Sequence, residues 1–374
     1  MPALDEITIK GFKSIKDLTD FKPGKLNILV GANGAGKSNL VDFFRMLRAM
    51  ADKGFQNFVT SSGGADGFFF NGPKETKQIN AHLKFGNNEY RFSLGVTVAG
   101  EMTINDEATL FTRATKFPSA WHISAGGKKE SDLPNWKGQK SHLGNWDSVE
   151  AHVYNAVSSW VVYHVHDTST TAYMRRPWSA RDFRELRPDA GNIAAFLLNM
   201  RKENPPRYQR IRETVQLIAP FFDDFLLEPE RMGENEQVRL EWRQKGSTFP
   251  LQPWQFSDGT IRFICLATAL LQPNPPSTIV IDEPELGLHP FAIETLAALL
   301  HEAATGHQPQ LIVSTQSPGL MDHFDADNLI IVDRIEGASV FRRLDSGHLE
   351  QWLKDYSLGE LVRKDIIESG PRHA

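Results

Sequence analysis

The chain has 374 residues, of which 40% are hydrophobic and 23% are charged, and its formal net charge is −5. These values predict a soluble globular protein of about two domains, and they exclude a chain that is basic over its whole surface, as many nucleic-acid-binding proteins are. No apolar run reaches the roughly 18 residues of a membrane span, the amino-terminal residues do not resemble a signal peptide, and the single cysteine, Cys265, excludes an internal disulfide, so we expect a cytoplasmic protein.

The first 99 residues predict strands and one helix. Strands are expected at 7–12 and 25–30, and an amphipathic helix at 39–50, where apolar residues recur at helical spacing. Residues 79–98 alternate between apolar and polar side chains on both sides of an Asn-Asn turn, which predicts two paired strands.

The middle of the chain is less regular. Residues 100–150 are polar with weak periodicity, and a mixed segment follows to about residue 228. That segment contains the strand-like run "SWVVYHVH" and two helical stretches, near 190–201 and 206–220.

The last part of the chain alternates between apolar strands and helices. Strands are predicted at "VRLEWR", "STIVID", "QLIVST" and "NLIIVD", and helices at 260–271 and 291–304. This alternation is typical of a parallel sheet in an α/β protein. We therefore predict one α/β domain in two halves, 1–99 and 236–345, with an antiparallel β subdomain, a mainly helical insert at 100–235 and a helical tail at 346–374.

The stretch "VGANGAGKSN" matches the pattern G-x-x-x-x-G-K-[ST] at Gly31, Gly36, Lys37 and Ser38, between a predicted strand and a predicted helix. In such a loop the glycines let backbone N–H groups surround phosphate oxygens, the lysine reaches the outer phosphates, and the hydroxyl binds Mg²⁺. The alternative is a glycine-rich turn with a chance match. The residues predicted to contact the nucleotide are Gly31, Asn33, Gly34, Ala35, Gly36, Lys37, Ser38 and Asn39.

The apolar strand "STIVID" ends in two acids, Asp282 and Glu283. A buried strand tolerates such a pair where a cation accompanies it. We predict that Asp282 orients Mg²⁺ and that Glu283 is the general base that polarises the attacking water. The alternative is a loop with two solvated acids.

A third motif, "FSDGTIRFICLATALL", begins with a capped turn and continues into a buried helix that contains Cys265. The order of the three motifs, followed by "STQSP", resembles ABC-type ATPases of the SMC/RecF/OLD group. More narrowly, it resembles the predicted prokaryotic ATPases with the signature "LSDGT" and the acidic strand "DEPE.GLHP". The resemblance covers nearly the whole chain in motif order and is vague at 100–235.

This resemblance implies an ATP-binding homodimer in which two heads sandwich two nucleotides. Ser257 and Gly259 would then contact the γ-phosphate held by the other subunit. The segment "GLHP" would lie at the dimer interface, where His289 is either an interface residue or only part of a turn. Relatives often work in DNA maintenance or defence against phage, so we expect a switch that controls a separately encoded nuclease or toxin. The chain is too short after "STQSP" for the fused nuclease of OLD-type proteins, and no coiled-coil arms are predicted.

One position departs from the family pattern. Most relatives carry histidine in "THSP", whereas this chain has Gln316. Glutamine donates a hydrogen bond but does not exchange a proton near neutral pH. We assign Gln316 to the catalytic group with Glu283 and Lys37, and we expect slow turnover; alternatively, glutamine serves as well as histidine.

Other assignments are less specific. Gln56 is predicted to reach the Mg²⁺ site, with Gln78 as the competing residue, and Lys13 is expected near the nucleotide. His164, His166 and Asp167 permit a metal site, but packing is the stronger interpretation. The terminal segment 357–367 predicts an amphipathic helix for packing or for docking of an effector.

Residues 175–212 carry ten basic residues against four acids. Such a region is able to bind DNA phosphates, an acidic protein, or only solvent. Two alternative functions stay open: a RecF-like repair ATPase that binds DNA directly, and a nucleotide-gated scaffold with negligible turnover. A transporter subunit fits the motifs less well.

Overall fold

The computed structural model describes residues 3–112, 120–124, 126–141, 147–232, 235–305, 309–349, 351–364 and 367. The strands are β1 Glu6–Phe12, β2 Ile15–Phe21, β3 Leu26–Val30, β4 Ile79–Phe85, β5 Asn88–Val96, β6 Met102–Phe111, β7 His122–Ser124, β8 Trp160–Tyr163, β9 Trp178–Ser179, β10 Phe222–Leu226, β11 Glu230–Met232, β12 Asn235–Val238, β13 Glu241–Gln244, β14 Thr278–Asp282, β15 Gln310–Thr315, β16 Leu329–Ile335 and β17 Ala338–Arg343. The helices are α1 Lys37–Ala51, α2 Phe55–Ser61, α3 Val149–Ser158, α4 Ile193–Glu203, α5 Pro205–Ile218, α6 Asp258–Leu271, α7 Pro290–Ala304, α8 Pro318–Met321, α9 Ser346–Leu349 and α10 Leu358–Arg363.

A mixed sheet forms the centre of the molecule, with the strand order β17-β16-β3-β15-β14-β8. All of its pairs are parallel except β16–β17. The strands β3, β14 and β15 are buried along their whole length because helices or a second sheet cover both faces. Their carboxyl ends, at Val30, Asp282 and Thr315, therefore lie at one edge of the sheet, where α/β proteins usually bind ligands.

Each face of this sheet packs into its own hydrophobic core. Ile28 and Val30 face one core, which also contains α4, α5, α6 and α7, whereas Leu29 faces the other core with α1 and α3. The second core is closed by an antiparallel sheet with the order β2-β1-β4-β5-β6-β7. The parallel core sheet and the antiparallel subdomain expected from the sequence are thus both present.

The strand pairing places parts of the predicted insert, residues 100–235, inside these two sheets. β6 pairs with β5 from Phe111 to Met102, across the predicted boundary at residue 99. β8 forms the edge of the central sheet through parallel pairing with β14. The polar, weakly periodic residues 100–150 did not predict β6 as a strand. β8 was predicted as a strand, but its pairing partner is set by tertiary packing.

The remainder of the insert supports the helix that carries the third motif. α4 and α5 pack against α6 in one core, and the two small sheets β10-β13 and β11-β12-β9 lie beside them. Cys265 is buried in α6 with its thiol 3.7 Å from the Met174 sulfur, and burial raises its pKa above the ordinary value, as expected for a core residue rather than a nucleophile. The expected terminal helix is present as α10, packed against α8; the rest of the predicted helical tail beyond residue 367 lies outside the described residues.

Candidate functional site

The phosphate loop, residues 31–38, connects the end of β3 to the start of α1. A Cβ atom on Gly31 would lie 2.1 Å from the carbonyl oxygen of Val332, and one on Gly36 would lie 1.9 Å from Ser339 Oγ. Gly34 and Gly36 also have positive φ angles of 80° and 112°. Glycine is therefore required at these positions on steric grounds, and the backbone curls as a phosphate-binding loop must.

Lys37 is buried at the first position of α1, where its Nζ donates hydrogen bonds to the carbonyl oxygens of Gly31 (2.6 Å) and Ala32 (3.2 Å). Burial lowers the pKa of Lys37 below its ordinary value, while the carboxylates of Glu283, Asp282 and Glu285 act in the opposite direction. The predicted lysine thus faces the predicted acids.

The rest of the loop is held by a short hydroxyl network. Ser14 Oγ lies 2.6 Å from Ser339 Oγ, Ser339 donates to the carbonyl oxygen of Ala35, and the Asn39 amide donates to Ser14 Oγ. Ser38 and Asn33 are exposed at the loop surface. These contacts fix the backbone and leave the predicted Mg²⁺ ligand, Ser38, accessible.

The acidic pair lies at the end of β14, beside the phosphate loop. Asp282 is buried, and its Oδ1 accepts a hydrogen bond from the Ser314 hydroxyl on β15. Glu283 adopts a left-handed backbone conformation with φ of 43°, and its N–H donates to the carbonyl oxygen of Ser314 over 3.0 Å. Non-glycine residues hold such a conformation only where their surroundings impose it, and such residues cluster at functional sites.

Gln316 meets Glu283 across the end of β15, where its Nε2 donates to Glu283 Oε1. The structure therefore brings the three predicted catalytic residues to one edge of the central sheet. The amide orients the carboxylate without competing for a proton, because glutamine is neutral at all ordinary pH values.

Glu285 is a further acid of this site that the sequence interpretation did not single out. Its buried Oε1 accepts hydrogen bonds from Thr315 Oγ1 (2.5 Å) and from the Gln316 N–H (3.1 Å). Burial raises the pKa of Glu285 above its ordinary value. Glu285 thus positions the segment that carries Gln316; the third acid of "DEPE" was the only sequence signal for it.

The signature turn, residues 257–260, lies at the start of α6. Ser257 is exposed and caps the helix, since its Oγ accepts from the Thr260 N–H over 3.1 Å. A Cβ atom on Gly259 would lie 2.4 Å from the carbonyl oxygen of Gly287, so only glycine lets this turn approach the "GLHP" segment so closely. His289 caps α7 through a hydrogen bond from the Phe291 N–H.

Apolar side chains are exposed around the signature turn. Trp254, Phe291 and Leu286 have 55%, 50% and 41% of their surface exposed. A groove beside Phe291 is lined by Ser257, Gly259 and His289, among others. This face combines an open helix N-terminus with exposed apolar surface, as an interface for a phosphate-bearing partner would.

The less specific sequence assignments concern Gln56, Gln78 and Lys13. The structure places Gln56 on α2, where its amide donates to the carbonyl oxygens of Met102 and Lys129 beside the antiparallel sheet rather than to the residues of the acidic pair. Gln78 is exposed directly before β4. Lys13 forms an ion pair with Asp42 of α1 at 2.6 Å.

The predicted histidine cluster is present with a different acid. Asp167 is exposed and accepts a hydrogen bond from the Ser169 N–H, whereas His164 and His166 lie beside Asp282. Burial lowers the pKa of His164 from 6.5 to about 4, and the neighbouring Arg45 acts in the same direction.

The basic region at 175–212 is less available than its composition suggests. Arg175 is buried and donates to three carbonyl oxygens and to Asp258, so it supports the signature turn from inside. Further arginines form ion pairs: Arg187 with Asp182 and Asp189, Arg210 with Glu302, and Arg212 with Asp224. The exposed members include Arg176, Arg181, Arg184 and Lys202.

Residues 26–322 match the family model described as "AAA domain, putative AbiEii toxin, Type IV TA system". The chain belongs to this AAA-domain family. It is also 22% identical over 406 residues to an OLD nuclease of Thermus scotoductus, with 97% of this chain and 70% of that protein covered.

Two solved structures share the fold. One is an SMC head bound to the C-terminal winged-helix domain of ScpA, with 17% identity, a TM-score of 0.60 and coverage of 94% of this chain and 100% of that one. The other is an SMC head with an extended coiled coil, bound to the C-terminal domain of ScpA and derived from Pyrococcus furiosus, with 16% identity, a TM-score of 0.57 and coverage of 95% and 99%. The expected fold, a P-loop ATPase of the ABC type, and the expected relation to SMC and OLD proteins are confirmed. Among the described residues, no helix is long and apolar enough to cross a membrane.

Proposed function

We propose that this protein is a Mg²⁺-dependent ATPase that closes as a homodimer around ATP, and that closure switches a separately encoded effector such as a nuclease or toxin. The observation that carries the proposal is the convergence of Lys37, Asp282, Glu283 and Gln316 at one sheet edge. The glycine-only contacts of the phosphate loop and this donor set fit a nucleotide with its Mg²⁺.

Each residue has a task that its position supports. Lys37 and the loop N–H groups bind the outer phosphates, while Ser38 and Asp282 hold Mg²⁺, which neutralises phosphate charge when bound. Glu283 accepts a proton from the attacking water as the β–γ bond breaks. Gln316, held by Glu285, orients Glu283 for that step. Gln56 is not retained as a Mg²⁺ ligand in this proposal because its amide donates to backbone carbonyls elsewhere.

The dimer is supported by the signature face, which consists of the signature turn, the "GLHP" segment and the exposed side chains of Trp254, Leu286 and Phe291. Ser257 and Gly259 present a helix N-terminus that attracts anions, and the nearby apolar side chains are exposed. The γ-phosphate held by one subunit is a ligand for this turn of the other subunit. Hydrolysis removes that bridge, so nucleotide state and dimer state are coupled.

The effector is proposed from what the relatives are called. The family description names a toxin system, and one relative is named a nuclease. We place the switch in DNA maintenance or in defence against foreign DNA on that analogy. The second candidate, a RecF-like ATPase that binds DNA itself, is favoured only by the exposed residues Arg176, Arg181, Arg184 and Lys202. The scaffold alternative is favoured only by Gln316.

The variant Glu283→Gln tests the proposal. We expect it to lower the rate of ATP hydrolysis about 100-fold to 10,000-fold, as loss of a general base does, while ATP binding is kept. In ATP and Mg²⁺ it should accumulate as a dimer in sedimentation velocity runs, whereas Lys37→Ala should stay monomeric. Glu294→Gln, an exposed acid on α7, is the matched control and should behave as the parent chain does. Hydrolysis at the parental rate by Glu283→Gln would disprove the assignment of the base.

For the effector, the tagged Glu283→Gln protein is purified from its native cells with ATP and Mg²⁺. A stoichiometric co-purifying nuclease or toxin supports the switch. DNA alone, lost when Arg176, Arg181 and Arg184 are replaced by Gln, supports the RecF-like candidate instead.

A further inference from the structure

Two histidines follow the edge strand of the central sheet. β8 runs parallel to β14 with Tyr163 opposite Ile281, so the next position, His164, lies beside Asp282. His164 and His166 are two residues apart and share one face, with ring centroids 4.3 Å apart and ring planes at 22°. The side chains thus converge on the acid that ends β14.

The cluster offers three possible ligand atoms. One ring nitrogen of each histidine and a carboxylate oxygen of Asp282 lie within 4.8 Å of one another. The His166 Nε2 is 2.7 Å from the backbone carbonyl oxygen of Asp282. Because a carbonyl only accepts, Nε2 carries the proton and Nδ1 keeps its lone pair. Histidines that bind metals usually donate their other N–H in this way.

We propose that His164, His166 and Asp282 bind a transition-metal ion of the Zn²⁺ or Co²⁺ type beside the nucleotide site. Two imidazoles and a carboxylate match the donor preference of these ions, and three protein ligands leave a fourth position for water. Ligand atoms around a tetrahedral ion with bonds of roughly 2.1 Å are about 3.4 Å apart. Closing the cluster to that spacing shortens the distances between its ligand atoms by at most about 1.4 Å.

This ion is distinct from the Mg²⁺ of the proposed ATPase site. Mg²⁺ prefers oxygen ligands and binds imidazole poorly, whereas Asp282 has two carboxylate oxygens and is able to serve both ions. Arg45, whose positive charge acts on His164, forms an ion pair with Asp42, which also pairs with Lys13. The inference does not need nucleotide, so it stands or falls independently of the proposed hydrolysis.

Metal binding would act on the signature helix. Arg262 of α6 donates from Nε to the carbonyl oxygen of Val165 and from Nη2 to that of His166, each over 3.0 Å. An ion that joins the histidines to Asp282 therefore ties the signature helix to the end of β14. The site connects the acidic pair of one subunit to the turn that faces the other.

The experiment is Co²⁺ titration of the nucleotide-free full-length protein, without an affinity tag, followed by visible absorption and equilibrium dialysis. We expect one tightly bound Co²⁺ per chain, with the visible bands of a tetrahedral nitrogen-containing site, and no displacement by a tenfold excess of Mg²⁺. His164→Ala and His166→Ala should each weaken binding at least about 100-fold, the upper end of the loss when an outer partner of a metal site is removed.

Two further variants separate a specific site from general effects. His301→Ala removes another surface histidine, whose Nε2 contacts the carbonyl oxygen of His323, and should leave Co²⁺ binding unchanged. Asp282→Asn keeps the shape of the third ligand and should weaken Co²⁺ binding. It tests the site even if a histidine variant folds poorly. If the three ligand variants, His164→Ala, His166→Ala and Asp282→Asn, bind Co²⁺ like the parent chain, or if the parent chain binds none, the proposal is wrong.

Discussion

The functional side chains at the edge of the central sheet are held by hydrogen bonds within the same chain, whereas those of the signature face are open to solvent. At the sheet edge, Lys37 donates hydrogen bonds to carbonyl oxygens of the phosphate loop. Asp282 accepts a hydrogen bond from a hydroxyl of β15, and Glu283 accepts one from Gln316. At the signature face, Ser257 is exposed and large apolar side chains contact solvent. The first region is organised to bind a ligand within one chain, whereas the second presents a surface that a second molecule would complete. In the proposed function, nucleotide binding is therefore a property of the monomer and switching a property of the dimer.

The largest effect should come from charge at the signature face. Ser257→Asp keeps a residue that caps α6 well, so the fold should persist, but it places a carboxylate against the phosphate of the facing subunit. Such like-charge contacts cost several kcal/mol, so ATP-dependent dimerisation should weaken about 100-fold or more while ATP binding by the monomer is unchanged. Sedimentation and nucleotide titration of the same sample measure both quantities.

Ser148→Asp is the matched control for this variant. Ser148 caps α3 in the same manner, with its Oγ accepting from the Ala151 N–H over 3.1 Å, but α3 packs into the other hydrophobic core. It should dimerise like the parent chain. If Ser257→Asp dimerises as well as the parent chain, a second subunit does not complete the signature face, and the contrast between the two regions is lost.

A smaller effect is expected inside the completed region. Gln316→His restores a side chain that exchanges protons near neutral pH. We expect the hydrolysis rate to rise about tenfold, less than the roughly 100-fold to 10,000-fold that a full general acid–base group contributes, with little change in ATP affinity. Steady-state phosphate release measures the rate, and Gln316→Ala, which removes the contact to Glu283, should be slower than the parent chain. Equal rates for Gln316→His and the parent chain would end the slow-switch hypothesis.

The sequence predicted this site well where local chemistry dictates geometry. The phosphate loop and the end of β14 were assigned correctly to a strand–loop–helix and a buried strand, because glycine spacing and apolar runs are local signals. Gln56 shows the limit: its distance along the chain from the loop suggested a role, but α2 turns its amide toward the antiparallel sheet. The number of residues between two positions limits how far apart they lie, but it does not determine which sheet a helix faces.

Pairing between distant segments was the other part that local signals did not supply. The run "SWVVYHVH" was recognised as strand-like, but its place beside β14 depends on tertiary packing, so the contact of His164 and His166 with Asp282 was not foreseen. Glu285 was missed for the same reason, since its partners Thr315 and Gln316 are 30 and 31 residues away. Likewise, the composition of 175–212 concealed that Arg175 is buried.

The smallest expected effect is the pH dependence of the free energy of unfolding that the buried acid Glu285 causes. Within the described part of the chain, Glu285 Oε2 is buried without a hydrogen-bond partner, and burial raises the pKa of Glu285 above its ordinary value of 4.5. Between 4.5 and the raised value, the folded chain binds more protons than the unfolded chain, so the free energy of unfolding falls as pH rises through that interval. The stabilising contribution is complete below pH 4.5.

Glu285→Gln has no proton to lose, and it keeps an acceptor for Thr315 and Gln316. Relative to the parent chain, it should therefore gain stability as the pH rises above 4.5, as measured by urea unfolding at a series of pH values. The exposed control Glu294→Gln should follow the parent curve. Parallel curves for Glu285→Gln and the parent chain would mean that the hydrogen bonds from Thr315 and Gln316 fully offset burial, and the completed region would then carry no cost for its buried charge.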